Sequence, residues 1–113
     1  MGQDWKELTS EASKLNGQVA RALPEVARGF SRMAQAASGS GELSEKTKEL
    51  IAIAISIAIR CESCIGLHVK SAIKAGVTRE ELLEMIGVAI YMGGGPSYAY
   101  GGKALEAFDQ QVS

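Results

Sequence analysis

Both cysteines of the chain and its only histidine fall in one octapeptide, Cys61-Glu62-Ser63-Cys64-Ile65-Gly66-Leu67-His68. Two thiols separated by two residues can close a small disulfide ring and reopen it. On a helix, Cys64 and His68 lie one turn apart on the same face, and Cys61 and Cys64 are neighbours at i, i+3. The histidine can then hydrogen-bond the thiol or take its proton. A thiolate attacking a peroxide becomes a sulfenic acid, and a second thiol nearby condenses with that acid to a disulfide. The pair could supply both parts. A helix dipole would favour the thiolate at Cys61, the cysteine nearer the N-terminus, whereas the His68 spacing favours Cys64. The residues alone leave that choice open.

Other chemistries fit less well. Cys61, Cys64 and His68 are zinc-type ligands, but a structural zinc site wants a fourth. With no third cysteine or second histidine, Glu49 or a second subunit would have to complete it. Covalent haem attachment needs C-x-x-C-H, and Ile65 follows Cys64 here. Two inert buried cysteines with a satisfied histidine remain an alternative, and the shared helical spacing of all three counts against it. No metal and no cofactor is therefore expected.

The elements that must hold this segment read as helices. Trp5, Leu8, Ala12, Leu15, Val19 and Ala22 alternate steps of three and four, which predicts an amphipathic helix from Asp4 to about Ala22. Pro24 fits the first turn of a second helix, with Val26, Phe30, Met33, Ala34 and Ala37 as its buried face. Ser38-Gly39-Ser40-Gly41 is a break. Ser44 caps a third helix, with Glu45 in its first turn. Leu50 to Ile59 then places isoleucine at alternate positions, a strand-like pattern. The intervening residues are Ala and Ser rather than polar, and no turn separates them from the polar lead-in. One helix from Ser44 to about Arg60 is predicted, apolar all round in its second half and hence central.

The fourth helix carries the cysteines and runs to about Ala75, with Gly76 beyond its end. Thr78 and Glu81 form a capping box for the fifth, whose apolar face holds Leu82, Leu83, Ile86, Ala89 and Ile90. Gly93-Gly94-Gly95-Pro96 ends it. A sixth runs from about Pro96 or Ser97 to Gln110, with Ala99, Ala104, Leu105 and Phe108 inward and Gly101-Gly102 weakening its start. The expected fold class is all-α, about six helices and no sheet, with no solenoid-type repeat.

At 113 residues the chain makes one domain, 1–113. Its hydrophobic content is 46% with only 5% aromatic, a surplus of small aliphatic surface that suggests burial shared between subunits. A net charge of −1 without like-charge blocks argues against nucleic acid or an anionic membrane as partner. The N-terminus shows no secretory signal, and Lys6 excludes a myristoylation signal. The run Leu50 to Ile59 is too short to span a bilayer. A cytoplasmic location is expected, where a close cysteine pair more often serves redox or metal chemistry than structure.

The segment Glu49 to His68 resembles the core of the carboxymuconolactone decarboxylase-like family, specifically its alkylhydroperoxidase AhpD branch. That branch is marked by a glutamate, eleven residues, then C-x-x-C-x-x-x-H, and Glu49, Cys61, Cys64 and His68 fall at those spacings. Ala75 to Glu81 and the glycine-rich Gly93 to Pro96 are also similar to small family members. The resemblance covers roughly residues 25 to 110 and is specific over 44 to 96. It implies an all-helical AhpD-like fold assembling as trimers or hexamers, and a thiol peroxidase acting on hydroperoxides. It further implies that Cys64 is the peroxidatic cysteine, that His68 and Glu49 relay protons to it, and that Cys61 resolves the sulfenic acid. A dithiol such as a lipoyl group would then reduce the disulfide. AhpD proper tends to carry another histidine between the cysteines where this chain has Ser63, so the relay here is expected to be shorter.

Without the family, Glu49 reads as the last solvated residue before an apolar helix. Tyr91, Tyr98 and Tyr100 read as core or interface residues rather than pocket walls, and Arg60 and Glu62 as solvated. Two other functions compete with the peroxidase. A lactone decarboxylase would need no thiol pair. A non-enzymatic redox sensor or oligomeric scaffold would use the disulfide to alter an interface.

Overall fold

The computed structural model describes residues 2–113. Among them there are six helices and no strand: α1 (Trp5–Ala22), α2 (Pro24–Ser38), α3 (Glu45–Ala58), α4 (Glu62–Lys74), α5 (Arg79–Gly93) and α6 (Gly95–Gln111). Four starts are fixed by side chains that accept an otherwise orphaned backbone N–H. Asp4 accepts from Glu7, Ser44 from Thr47, Cys61 from Cys64 and Thr78 from Glu81. At Thr78 the bond is reciprocated by the Glu81 carboxylate, which completes the capping box.

The isoleucine alternation resolves as helix, for a geometric reason. At 100° per residue, Ile53 and Ile57 stack on one face, and Ile51, Ile55 and Ile59 on another. The first pair is fully buried and the second set exposed. Helix α3 is therefore one-sided within the chain, not the all-round buried centre expected from its composition. It also stops short of Arg60. The Arg60 N–H donates to the Ile57 carbonyl at 3.1 Å and the Cys61 N–H to that of Ser56 at 3.0 Å. This is a Schellman closure, with Arg60 in the left-handed region at φ 57°.

The core lies between α3, α4, α5 and α6, with α1 laid across α4 and α6. Trp5, Ile53, Ile57, Ile65, Val69 and Leu82 are its largest fully buried side chains. The first turn of α1 is pinned to α6. The Trp5 indole N–H donates to Glu106 at 2.7 Å, and the Trp5 backbone N–H to Gln110 at 2.6 Å. Close approach of α1 to α4 requires Gly66. A Cβ there would sit 2.6 Å from the hydroxyl of buried Thr9. Helix α6 runs unbroken through Gly101-Gly102.

Two expected faces are not covered by the chain itself. None of the α2 residues is buried, and Val26, Phe30, Met33, Ala34 and Ala37 are all exposed. The α1 seam is buried only in its first half. Leu15, Val19 and Ala22 project past the edge of the core. Ala99 and Leu83, expected inward, are exposed as well. The periodicity identifies an apolar stripe correctly, but it does not say whether the covering surface belongs to the same chain. No helix is long and apolar enough to cross a membrane.

Candidate active site

The turn between α3 and α4 and the first two turns of α4 hold the chemistry-bearing residues. Cys61 and Cys64 are joined in a disulfide, their Cα atoms 5.2 Å apart. Both are partly buried. Cys61 is itself the N-cap of α4, and its sulfur accepts the Cys64 backbone N–H at 3.2 Å. Negative charge on this sulfur is favoured by that donor and by the dipole of a 13-residue helix.

His68 follows Cys64 by one turn of α4, on the same face. Its Nδ1 lies 3.1 Å from Glu49 Oε1, on the second turn of α3. The His68 side chain is 44% exposed and that of Glu49 only 14%. Glu49 is therefore not a solvated lead-in residue. It is held under the imidazole, and a carboxylate there accepts the Nδ1–H and leaves Nε2 with a free lone pair. The structure thus brings together the four residues picked out by spacing as two pairs on two packed helices. The sulfurs are joined covalently, and the imidazole is joined to the carboxylate.

Beside the His68–Glu49 pair is a concavity of about 420 Å³. Ala34 and Ala37 of α2 and Ile51, Ala52 and Ile55 of α3 form its apolar walls, with Glu49, His68 and Lys48 at its polar rim. The contribution from α2 was invisible to spacing arguments. Its only sequence signal is the exposed stripe assigned above to the core.

Around the disulfide, the Glu62 side chain is 40% exposed, solvated as expected, and it is also ion-paired. Its carboxylate lies 2.9 Å from Lys103 Nζ on α6, and this hydrogen bond holds the lysine above its ordinary pKa. Lys103 also sits 5.5 Å from the centroid of the Tyr100 ring. Of the three tyrosines read as core or interface residues, Tyr91 and Tyr98 are exposed and so lie outside the core of the chain, while Tyr100 packs partly buried against it. None of the three walls the concavity. Among the described residues, no group of three or more His, Cys, Asp or Glu side chains is arranged to hold a metal ion.

Comparison with known proteins agrees with this architecture. A carboxymuconolactone decarboxylase family protein from Legionella pneumophila superposes with a TM-score of 0.94 at 45% identity, covering 96% of this chain and 97% of that one. A carboxymuconolactone decarboxylase family protein from Thermotoga maritima, described as having a possible involvement in antioxidative response, gives a TM-score of 0.78 at 27% identity over 92% of this chain and 88% of that one. An uncharacterised protein from Cupriavidus necator is 36% identical over 109 residues, 96% of each chain. The profile of the carboxymuconolactone decarboxylase family matches residues 24–107, a span that includes Glu49, both cysteines and His68. The chain belongs to the carboxymuconolactone decarboxylase family.

Proposed function

We propose that the protein is a thiol-dependent peroxidase of the alkylhydroperoxidase AhpD type. The observation that carries this reading is the Cys61–Cys64 disulfide at the start of the helix on which His68, held by Glu49, follows one turn later. Each sulfur then has its own means of bearing charge. Cys61 has the N-cap N–H and the helix dipole, and Cys64 has the imidazole.

The reduced pair begins the cycle. Nε2 of His68 takes the Cys64 proton, and the thiolate attacks the terminal oxygen of a hydroperoxide. The S–O bond forms as the O–O bond breaks. The departing alkoxide takes a proton from the imidazolium and leaves as an alcohol. The Cys64 sulfenic acid is then attacked by the Cys61 sulfur, which forms the disulfide and expels water. A dithiol donor, such as a lipoyl group, supplies two electrons and two protons to reopen it. Glu49 keeps the imidazole in the tautomer that can accept, and offsets its charge once protonated. In this reading the protein works in the cytoplasm as a homo-oligomer, a trimer or hexamer, whose contacts cover the α2 stripe.

The deciding measurement is consumption of an organic hydroperoxide with a dithiol present, wild type beside Cys64→Ser and Cys61→Ser. Cys64→Ser should abolish turnover. Cys61→Ser should allow one turnover and stop as a sulfenic or sulfinic acid. Unchanged steady-state turnover in Cys64→Ser would eliminate the peroxidase. Loss of a lactone's ultraviolet absorbance insensitive to thiol alkylation would favour the decarboxylase. An oligomer shift on oxidation with negligible turnover would favour the sensor.

A further inference from the structure

The concavity beside the His68–Glu49 pair, about 420 Å³, falls in the size range of small-molecule sites. It lies between α3 and the last turns of α2, and alanines create it. Ala34 and Ala37 on one wall and Ala52 on the other stand where larger side chains would fill the space. Ile51 and Ile55 complete the apolar lining.

The polar groups at this cleft are already engaged. The Ser38 hydroxyl donates to the Ala34 carbonyl at 2.6 Å. The Lys48 ammonium donates to the Gly39 carbonyl at 2.6 Å, which also ties the C-cap of α2 to α3. Glu49 is held by His68. The walls therefore ask of a ligand only apolar surface, and His68 is the group left to meet its reactive end. In the redox cycle above, the departing alkoxide oxygen takes its proton from the His68 imidazolium. That oxygen carries the alkyl group, so the carbon chain begins one bond away from an atom in contact with a side chain that lines the cleft. Neither cysteine lines it, so the cleft suits the carbon chain and not the peroxide bond.

We propose that this cleft is an alkyl subsite that selects unbranched hydroperoxides with chains of several carbons over short ones, and that Ala37, with Ala34, sets the chain length it accepts. This rests on the redox reading above and names its substrate class. The Cys64 sulfur bonds the terminal peroxide oxygen as the O–O bond breaks. The sulfur is oxidised and the peroxide reduced by two electrons, and the alkoxide leaves as a primary alcohol carrying the His68 proton. Ala34 and Ala37 belong to the bare α2 stripe, so a second copy laid over that stripe roofs the cleft if its side chains stay out of it. A copy whose side chains fill the cleft leaves no subsite.

The test mixes the reduced full chain with ethyl or n-octyl hydroperoxide, quenches with an alkylating agent and counts free thiols by mass. Each rate is divided by that of free glutathione with the same peroxide, which removes intrinsic reactivity. Complete burial of a methylene is worth about fourfold and burial in an open cleft about twofold, so the octyl compound should react about ten- to a hundredfold faster with wild type. Ala37→Leu replaces a methyl by an isobutyl group on an exposed helix face and should lower that ratio by about fivefold or more. Ala34→Leu should act in the same direction. Ala36→Leu places the same group on α2 away from the cleft and should keep the wild-type ratio. Taking the ratio cancels any effect on the chemistry common to both peroxides, and equal melting temperatures for Ala37→Leu and Ala36→Leu separate occlusion from misfolding. A ratio near one in wild type, as from a cleft filled by a neighbouring copy, would overturn the alkyl subsite and leave the redox reading standing. So would the same ratio in wild type and Ala37→Leu. Reduced cysteines that neither peroxide oxidises would overturn both.

Discussion

His68 Nδ1 and Glu49 Oε1 lie 3.1 Å apart although 19 positions separate them in the chain, and the carboxylate is the more buried of the two. A carboxylate under an imidazole fixes the ring's orientation and its tautomer, and leaves the other nitrogen available to a proton.

Glu49→Gln retains a hydrogen-bond acceptor at the same place but removes the charge. It should lower peroxide turnover by less than His68→Ala, which removes the base altogether and should cost about a hundredfold or more. Steady-state rates of the two variants check the order. Equal rates in Glu49→Gln and wild type would show that the carboxylate serves structure only.

Gly66→Ala should separate α1 from α4, because the new methyl would meet the Thr9 hydroxyl at 2.6 Å. Overpacking of this kind costs roughly 1–3 kcal/mol. Urea denaturation should show the loss. Combining the change with Thr9→Ala should recover much of it, since the pair shares one contact.

The α2 stripe predicts assembly. Phe30 is 66% exposed and Met33 61%, on a helix with no buried residue of its own. A 15-residue helix that buries none of its residues is marginal in water, so its apolar face is expected to lie against another copy. Phe30→Glu should shift the sedimentation profile toward smaller species. A monodisperse monomer for the wild type at micromolar concentration would contradict the expectation.

Acid should weaken the fold in part through α5 and α6. The hydrogen bond from Arg79, then its charge, holds the Asp109 carboxyl below its ordinary pKa, and Glu81 is lowered first by the Thr78 backbone and then by Lys46. A carboxylate with a depressed folded-state pKa contributes stability above its unfolded pKa and loses it as pH falls through the folded value. Melting temperature should therefore be steady from neutrality to about pH 4.5 on this account and decline below it. Arg79→Ala should make the decline shallower, because Asp109 then binds protons alike in both states.

Much of the architecture could be read locally. The capping box at Thr78, the Ser44 cap, Pro24 at a helix start and Gly76 beyond a helix end all act within a few residues, so sequence alone places them. The end of α3 could not be read this way. Its closure uses Arg60, which carries none of the turn preference of glycine, so the end expected at about Arg60 comes two residues earlier, at Ala58. The same locality limits the site. Cys61, Cys64 and His68 follow from helical spacing within one segment. Glu49 was recognisable only through the family spacing, because its partner lies on the next helix.

The sequence by itself determined the helical class, the order of the six elements and the segment where the chemistry lies. These depend on periodicity and capping, which are properties of neighbours in the chain. Only the tertiary structure decided which apolar faces the chain covers for itself. It left α2 and the outer face of α3 bare while burying Ile53 and Ile57, because burial depends on what packs opposite a stripe. It also made Cys61 the N-cap of α4, seated Glu49 beneath His68, and paired Glu62 with Lys103. The last two relations join residues on different helices, and their distances are set by how the helices dock, which no spacing along one helix encodes.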